Sequence, residues 1–274
     1  MRSIFKFIIL LVIVNILAGC KHNRLDIDTS NVTVEPVVFK RLDKDVFALN
    51  EQNVLMKTKE YRAKYSTFYD RYITSIINNG GVNDSLYSQT LLKFVNDKEL
   101  KEAYGMLIKE YSDNDVELVG DELTEVVKRF KVLFPKRQTP KQYVTFMSGF
   151  NMHVVKVDST LGVGLDMYLG DNNMFYSMMQ LPKFRTRTMN KEHLLPDLVR
   201  GWMLNEFDNA DPVNNLLNHM IFYGKIFYTC DALIPEVSDS LKFGYTTAQM
   251  NYCNQYEKIC GAFLQKTTSY MIMI

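Results

Sequence analysis

Between Leu165 and Asn172 the chain reads Leu-Asp-Met-Tyr-Leu-Gly-Asp-Asn, placing two carboxylates and a phenol where an expected strand meets an expected helix. Asp166, Tyr168 and Asp171, with Tyr176 a little further on, are the residue types that hold a cation or a partner's basic group, so the expected partner surface runs from Asp166 to Tyr176. The competing structural reading makes Asp171 the cap of the next helix and gives Gly170 a backbone angle that other residues avoid. Catalytic patterns are scarce elsewhere. The four histidines, His22, His153, His193 and His219, are scattered, and no His-Glu-x-x-His sets two imidazoles and a glutamate on one helical face. His219 with Tyr223 one turn later is a possible start of a metal site, but a site needs three or four converging ligands, and packing is the favoured role. Ser148-Gly149 lacks the preceding glycine of a nucleophile elbow. Gly162-Val163-Gly164 has no third glycine and no helix opening on it, which favours relief of crowding in a bent strand over nucleotide binding. Glu192 and His193 beside Asp197 read as solvated groups before a helix. No catalytic residue, metal ligand or cofactor is assigned.

One residue type does carry modification chemistry. Arg2 and Lys6 precede an apolar run from Phe7 to Leu17, and Leu17-Ala18-Gly19-Cys20 closes it with small residues and a cysteine. That order is a secretory signal, and the run is too short for a stable membrane span. A cysteine at that point is the residue bacterial lipoproteins acylate, so residues 1–19 are expected to be removed and Cys20 to carry palmitate-type chains. Each buried methylene contributes about 0.8 kcal/mol, and two or three chains anchor a protein stably. Lys21 instead of an aspartate after the cysteine gives no signal for inner-membrane retention, which points to the outer membrane.

The elements that must position these groups follow from hydrophobic period. Residues 20–36 are polar and without period, a tether ahead of one globular domain over 37–274. A short strand is expected near Val37–Asp43. Tyr61, Tyr65, Phe68, Tyr72 and Ile76 then form a stripe on a helix ended by Asn79-Gly80-Gly81. Two more helices carry Leu100 to Tyr111, with Asp97 as N-cap, and Leu123 to Phe130. This gives a helical half, 37–135. The second half, 136–274, contributes strands at Tyr143–Met147, Val154–Val157 and Leu161–Leu165, expected as a small antiparallel sheet. Helices are then expected over 171–180, 196–207 with Pro196 in the first position, 214–229, and 247–265 with Thr246 and Gln249 as a capping box. The fold class is α+β, mostly helical with a small central sheet. Cys253 and Cys260, about 10.5 Å apart along one helix, cannot pair with each other, and buried thiols are favoured over a disulfide to Cys230. With 32 basic and 31 acidic side chains, nucleic-acid binding is not expected.

Gly164 to Asp171, followed by Tyr176 and Leu181-Pro182-Lys183-Phe184, resembles the signature of the gliding-motility-associated lipoprotein B (GldB) family of Bacteroidota. A second block, Leu216 to Tyr228, then Leu233-Ile234-Pro235 and Gly244 to Met250, is similar to it as well, and Val38 to Phe47 matches more loosely. The resemblance implies a lipid-anchored envelope protein without enzymatic activity, with partners in the gliding machinery. It also implies a degenerate zincin-like scaffold, chemically silent here: the expected helix 196–207 holds no histidine, and Tyr223 stands before Gly224 where relatives often carry glutamate. A phenol stays protonated near neutral pH and does not replace that charge. The family pattern continues beyond Glu257, so the apolar ending Met271 to Ile274 is expected to mark a shortened chain. The rival expectation is a divergent zinc-dependent metallohydrolase using His193 or His219. A housekeeping envelope lipoprotein is the third.

Overall fold

In the computed structural model, residues 25, 27–207 and 215–271 are described, the side chains of 260 and 263–271 excepted. Cys20 and the signal segment lie outside them. Four strands, β1 (Phe39–Arg41), β2 (Gln142–Phe146), β3 (Val154–Val157) and β4 (Thr160–Gly164), form one sheet in the order β1-β2-β4-β3. The antiparallel expectation is corrected here. Only the β3–β4 hairpin is antiparallel, whereas β1 with β2 and β2 with β4 run parallel. A hairpin needs only a short turn, but parallel neighbours need longer connections: residues 42–141 join β1 to β2, and residues 147–159, which include β3, join β2 to β4.

The helices are α1 (Leu42–Phe47), α2 (Val54–Tyr65), α3 (Thr67–Arg71, continued by a π-turn Tyr72–Ile76), α4 (Tyr87–Asn96), α5 (Lys98–Glu110), α6 (Asp113–Leu133), α7 (Met174–Met178), α8 (Lys183–Thr186), α9 (Lys191–Glu206), α10 (Leu216–Leu233), α11 (Asp239–Phe243) and α12 (Thr247–Met271). Their apolar faces divide between the two sides of the sheet. One core gathers α1 to α4 on Val144 and Phe146, and the other gathers α5, α6, α9 and α10 on Tyr143, Leu161 and Val163. Period-2 alternation along β2 and β4 sends successive side chains into different cores. The expected boundary between halves at 135 is therefore crossed twice: β1 pairs with β2, and α5 and α6 pack with the later helices.

The tyrosine stripe is buried as expected, but not on one helix. Ser66, at φ 55°, breaks it between α2 and α3. Each phenol of this stripe finds an acceptor or a hydroxyl partner: Tyr61 donates to the Asp45 carbonyl at 2.8 Å, Tyr65 to Asp45 Oδ2 at 2.6 Å, Tyr72 to the Met147 carbonyl at 2.9 Å, and the neighbouring Tyr69 meets Tyr87 at 2.8 Å. That pairing lets large rings fill a core without stranding a hydroxyl. Asp97 caps α5 by accepting from the Leu100 amide, and Thr246 and Gln249 form their reciprocal box before α12. Asp171 does not cap α7; Asn173 does, accepting from the Phe175 amide. Pro196 is the sixth residue of α9, not its first. It removes one internal hydrogen bond, and the turn before it persists because His193 and Leu194 are buried by packing. Cys230 is buried and its thiol pushed up to about 12 by burial, while Cys253 is exposed on α12, against the expectation for it.

The Gly-x-Gly of β4 has a steric reason. A Cβ on Gly162 would stand 2.5 Å from Phe68 Cζ and 3.0 Å from Phe146 Cε1, and one on Gly164 would stand 2.2 Å from the Met152 carbonyl oxygen. The strand is glycine on this face because aromatic rings and a crossing backbone occupy the space. Gly162→Ala is expected to destabilise the fold by about 1–3 kcal/mol, the usual range for overpacking a filled core. Urea unfolding, with an unchanged denaturant slope, measures it.

Candidate functional site

The strand-to-helix junction singled out by the sequence is an interior clamp. β4 ends at Gly164 and tightens into a 3-10 turn, Leu165–Tyr168, that carries the Asp166 carboxylate beneath the loop following β2. Asp166 is fully buried and accepts from the Ser148 amide at 2.9 Å, the Ser148 hydroxyl at 3.0 and 3.1 Å, and the Phe150 amide at 2.6 Å. Ser148 Oγ in turn accepts from the Asn151 and Met152 amides. Phe150 is held at φ 62°, an arrangement a bulky residue keeps only when its surroundings impose it. Burial raises the Asp166 carboxyl to about 6, with the amide and hydroxyl donors pulling the other way.

Tyr176 and Tyr168 belong to the same interior. The Tyr176 hydroxyl donates to the Asp166 carbonyl at 2.9 Å and accepts from the Leu169 amide at 2.8 Å. Tyr168 is wholly buried and donates to Asp197 Oδ2 at 3.2 Å. The expected partner surface over Asp166, Tyr168, Asp171 and Tyr176 is thus corrected for three of its four residues, since a partner cannot touch side chains enclosed on all sides. Asp171 alone is exposed, next to Gly170, whose φ of 103° agrees with the unusual angle expected there. Sequence spacing identified the junction but not the direction of its carboxylate.

From Tyr168 the network leads to an open cleft of about 470 Å³ between α9, the start of β3, α8 and α11. Its polar walls are His153, Arg185, Asp197, Arg200 and Asn205, and Phe184 and Phe243 supply rings. Asp197, expected to be solvated, is buried. It receives Arg200 Nη2 at 2.6 Å, while Arg200 Nη1 donates to the Lys242 carbonyl at 3.1 Å. Burial raises the Asp197 carboxyl, against the pull of Arg200. Helix α9 can lie this close to β3 only because position 201 is glycine: a Cβ there would meet Val154 Cγ1 at 2.6 Å. His153 lies just before Val154 and packs edge-on against the Tyr168 ring at 5.4 Å. Its Nδ1 is buried without a hydrogen-bond partner, and burial, then Arg185 and Arg200, depress the imidazole to about 4.

The other candidates are dispersed. His193, also expected in solvent, is buried at the start of α9 with Nδ1 2.8 Å from Asn190 Oδ1. His219 stands on α10, where Tyr223 is 47% exposed. Among the described residues, no three His, Cys, Asp or Glu side chains converge as a metal site requires. The sequence reading noted Asp197 but missed the cleft, because His153, Arg185 and Arg200 come from separated segments and no local pattern brings them together.

Fold and site together define a helix-rich α+β protein with an internal acid clamp and a charged cleft beside α9. A family model described as gliding motility protein GldB matches residues 22–270. The chain belongs to that family. Searches of curated proteins and of solved structures found no match.

Two outcomes test the site's geometry. Asp166→Asn turns one carboxylate oxygen into a donor facing backbone N–H groups, and is expected to cost about 3 kcal/mol in chemical unfolding. For His153, a pKa lower in the folded than in the unfolded chain means the unfolded state binds more protons between pH ~6.5 and ~4. Its contribution to stability is therefore full above that window and is lost as pH falls through it, by at most about 3 kcal/mol. Asp166, raised to about 6, acts in the opposite sense, so the His153 share is read as the difference between wild type and His153→Phe. The His153 ring resonances should titrate near 4.

Proposed function

We propose that this protein is a lipid-anchored, non-catalytic component of the cell envelope, held at the outer membrane by acyl chains on Cys20 and serving gliding motility through protein contacts. Membership of the gliding motility protein GldB family, over residues 22–270, is the observation that carries this reading. The signal order and Leu17-Ala18-Gly19-Cys20 support the anchor, and Lys21 supports the outer membrane over retention at the inner one. Among the described residues no helix is long and apolar enough to cross a membrane.

Two structural features favour contact over chemistry. The acid that the sequence singled out, Asp166, holds a loop and faces no solvent. On α10, by contrast, Leu216, Met220, Ile221, Tyr223 and Tyr228 are between 43% and 75% exposed, so this helix turns large apolar side chains outward on a chain that buries most of its others. Apolar groups gathered on a surface mark places where another protein sits.

In a gliding host, deletion of the gene is expected to abolish spreading, and the wild-type chain to restore it. Cys20→Ala should release the protein from membranes and fail to restore spreading, and the double change Met220→Asp, Tyr223→Arg should leave a folded, membrane-bound protein with reduced envelope crosslinks. Full restoration by Cys20→Ala would overturn the anchored reading. Stoichiometric zinc together with a peptide hydrolysis lost in His219→Ala would replace the non-catalytic reading with a metallohydrolase.

A further inference from the structure

The cleft beside α9 contains binding groups that the fold itself leaves unengaged. Arg185 is exposed at its edge and has no ion-pair or guanidinium hydrogen-bond partner among the described residues. Arg200 is fixed from one side by Asp197 at 2.6 Å and by the Lys242 carbonyl at 3.1 Å, which uses two of its five N–H groups. The imidazole of His153 has no hydrogen bond among the described residues, and its Nδ1 is sealed from solvent. A proton on that nitrogen would be a buried donor with no acceptor, so the neutral ring carries its proton on Nε2. Phe184, 69% exposed, and Phe243 give the same cleft an apolar side.

The charge of the lining decides what fits. Arg185 and Arg200 stand against the single carboxylate of Asp197, leaving one net positive charge beside a neutral imidazole. Two guanidinium forks and one N–H suit an oxyanion, since guanidinium groups match a planar carboxylate in geometry and charge. One net positive charge suits a monoanion better than a dianion. The volume of about 470 Å³ is that of a small-molecule site, and the two phenylalanines suit an apolar body behind the charged group. We propose that this cleft binds a small organic carboxylate, its carboxyl group between Arg185, Arg200 and His153 and its apolar part against Phe184 and Phe243. The walls are preorganised: Tyr168 holds Asp197, Asp197 holds Arg200, and Arg187 Nη2 fixes the loop after α11 by donating to the Gly244 carbonyl at 2.7 Å. This inference does not depend on the docking role proposed above.

The test uses the full chain in detergent, observed through the His153 ring by NMR, with phenylacetate as the probe. Phenylacetate should give a saturable shift of the His153 resonances, and at saturation the His153 titration midpoint should move upward, because a nearby anion favours the imidazolium. Arg185→Gln should weaken the interaction about tenfold or more, as expected for loss of a charge-assisted contact. Arg185 makes no side-chain hydrogen bond among the described residues, so this variant is expected to keep the fold, which an unchanged urea midpoint verifies. Absence of a saturable shift, or a phenylacetate affinity unchanged in Arg185→Gln, would overturn the proposal. Benzamide binding as tightly as phenylacetate would overturn the role of charge, and inorganic phosphate binding more tightly would overturn the choice of a carboxylate.

Discussion

A carboxylate taken out of water at the end of β4 is the constraint around which this structure is arranged. Asp166 is fully buried, and its burial is tolerable because two amides and a hydroxyl from the loop at 148–150 converge on it. The dependence is mutual. The loop turns through left-handed backbone at Phe150 to present those donors, and the packing of the Phe150 ring on Phe175 and Tyr176 helps to hold it there. Once the clamp is closed, β2 and β4 are joined beyond their last shared ladder position, and the chain leaving β4 is committed to a tight turn that drives Tyr168 inward.

Tyr168 then transmits this arrangement to the surface. It is enclosed, yet its hydroxyl reaches Asp197 on α9, and Asp197 orients Arg200 at the wall of the cleft. The buried acid clamp and the cleft are thus linked through the backbone of one 3-10 turn, from Asp166 to Tyr168, and the hydrogen bonds beyond it. These bonds orient Arg200 at the cleft wall without placing the clamp residues in it. The same logic runs through the other core, where tyrosines 61, 65, 69 and 72 are interior and each hydroxyl is tied to a backbone carbonyl, a carboxylate or another phenol. The composition, 12% aromatic, is expressed as buried rings with polar ends that fix one element against another.

Family membership and structure bear on different parts of the problem. The first places the chain among gliding motility proteins over nearly its whole length. The second separates the conspicuous residues of that chain into those that hold it together and those left available. The junction from Gly164 to Tyr168 falls in the first group, with Tyr176. Tyr223 and its neighbours on α10, and Arg185 and His153 in the cleft, fall in the second.

Local chemistry settled much of this in advance. The four strands, the buried stripe of Tyr61 to Ile76, the Asp97 cap and the capping box before α12 were legible because each depends on spacing or on a residue within a few positions; the Gly162-Val163-Gly164 pattern signalled crowding, while the rings that cause it, Phe68 and Phe146, came only from the fold. The family was legible as well, through two blocks of side chains in fixed order. Tertiary structure alone decided strand direction, since parallel and antiparallel neighbours share the same alternation, and it alone decided that helices of the first half cross to the far face of the sheet. It also decided which acids see water. Asp166 and Asp171 are five residues apart and equivalent on paper, but the donors that draw Asp166 inward come from residues 148–150, and nothing near it in sequence announces them. The cleft was invisible for the same reason: His153, Arg185 and Arg200 meet only because Gly201 lets α9 lie against Val154.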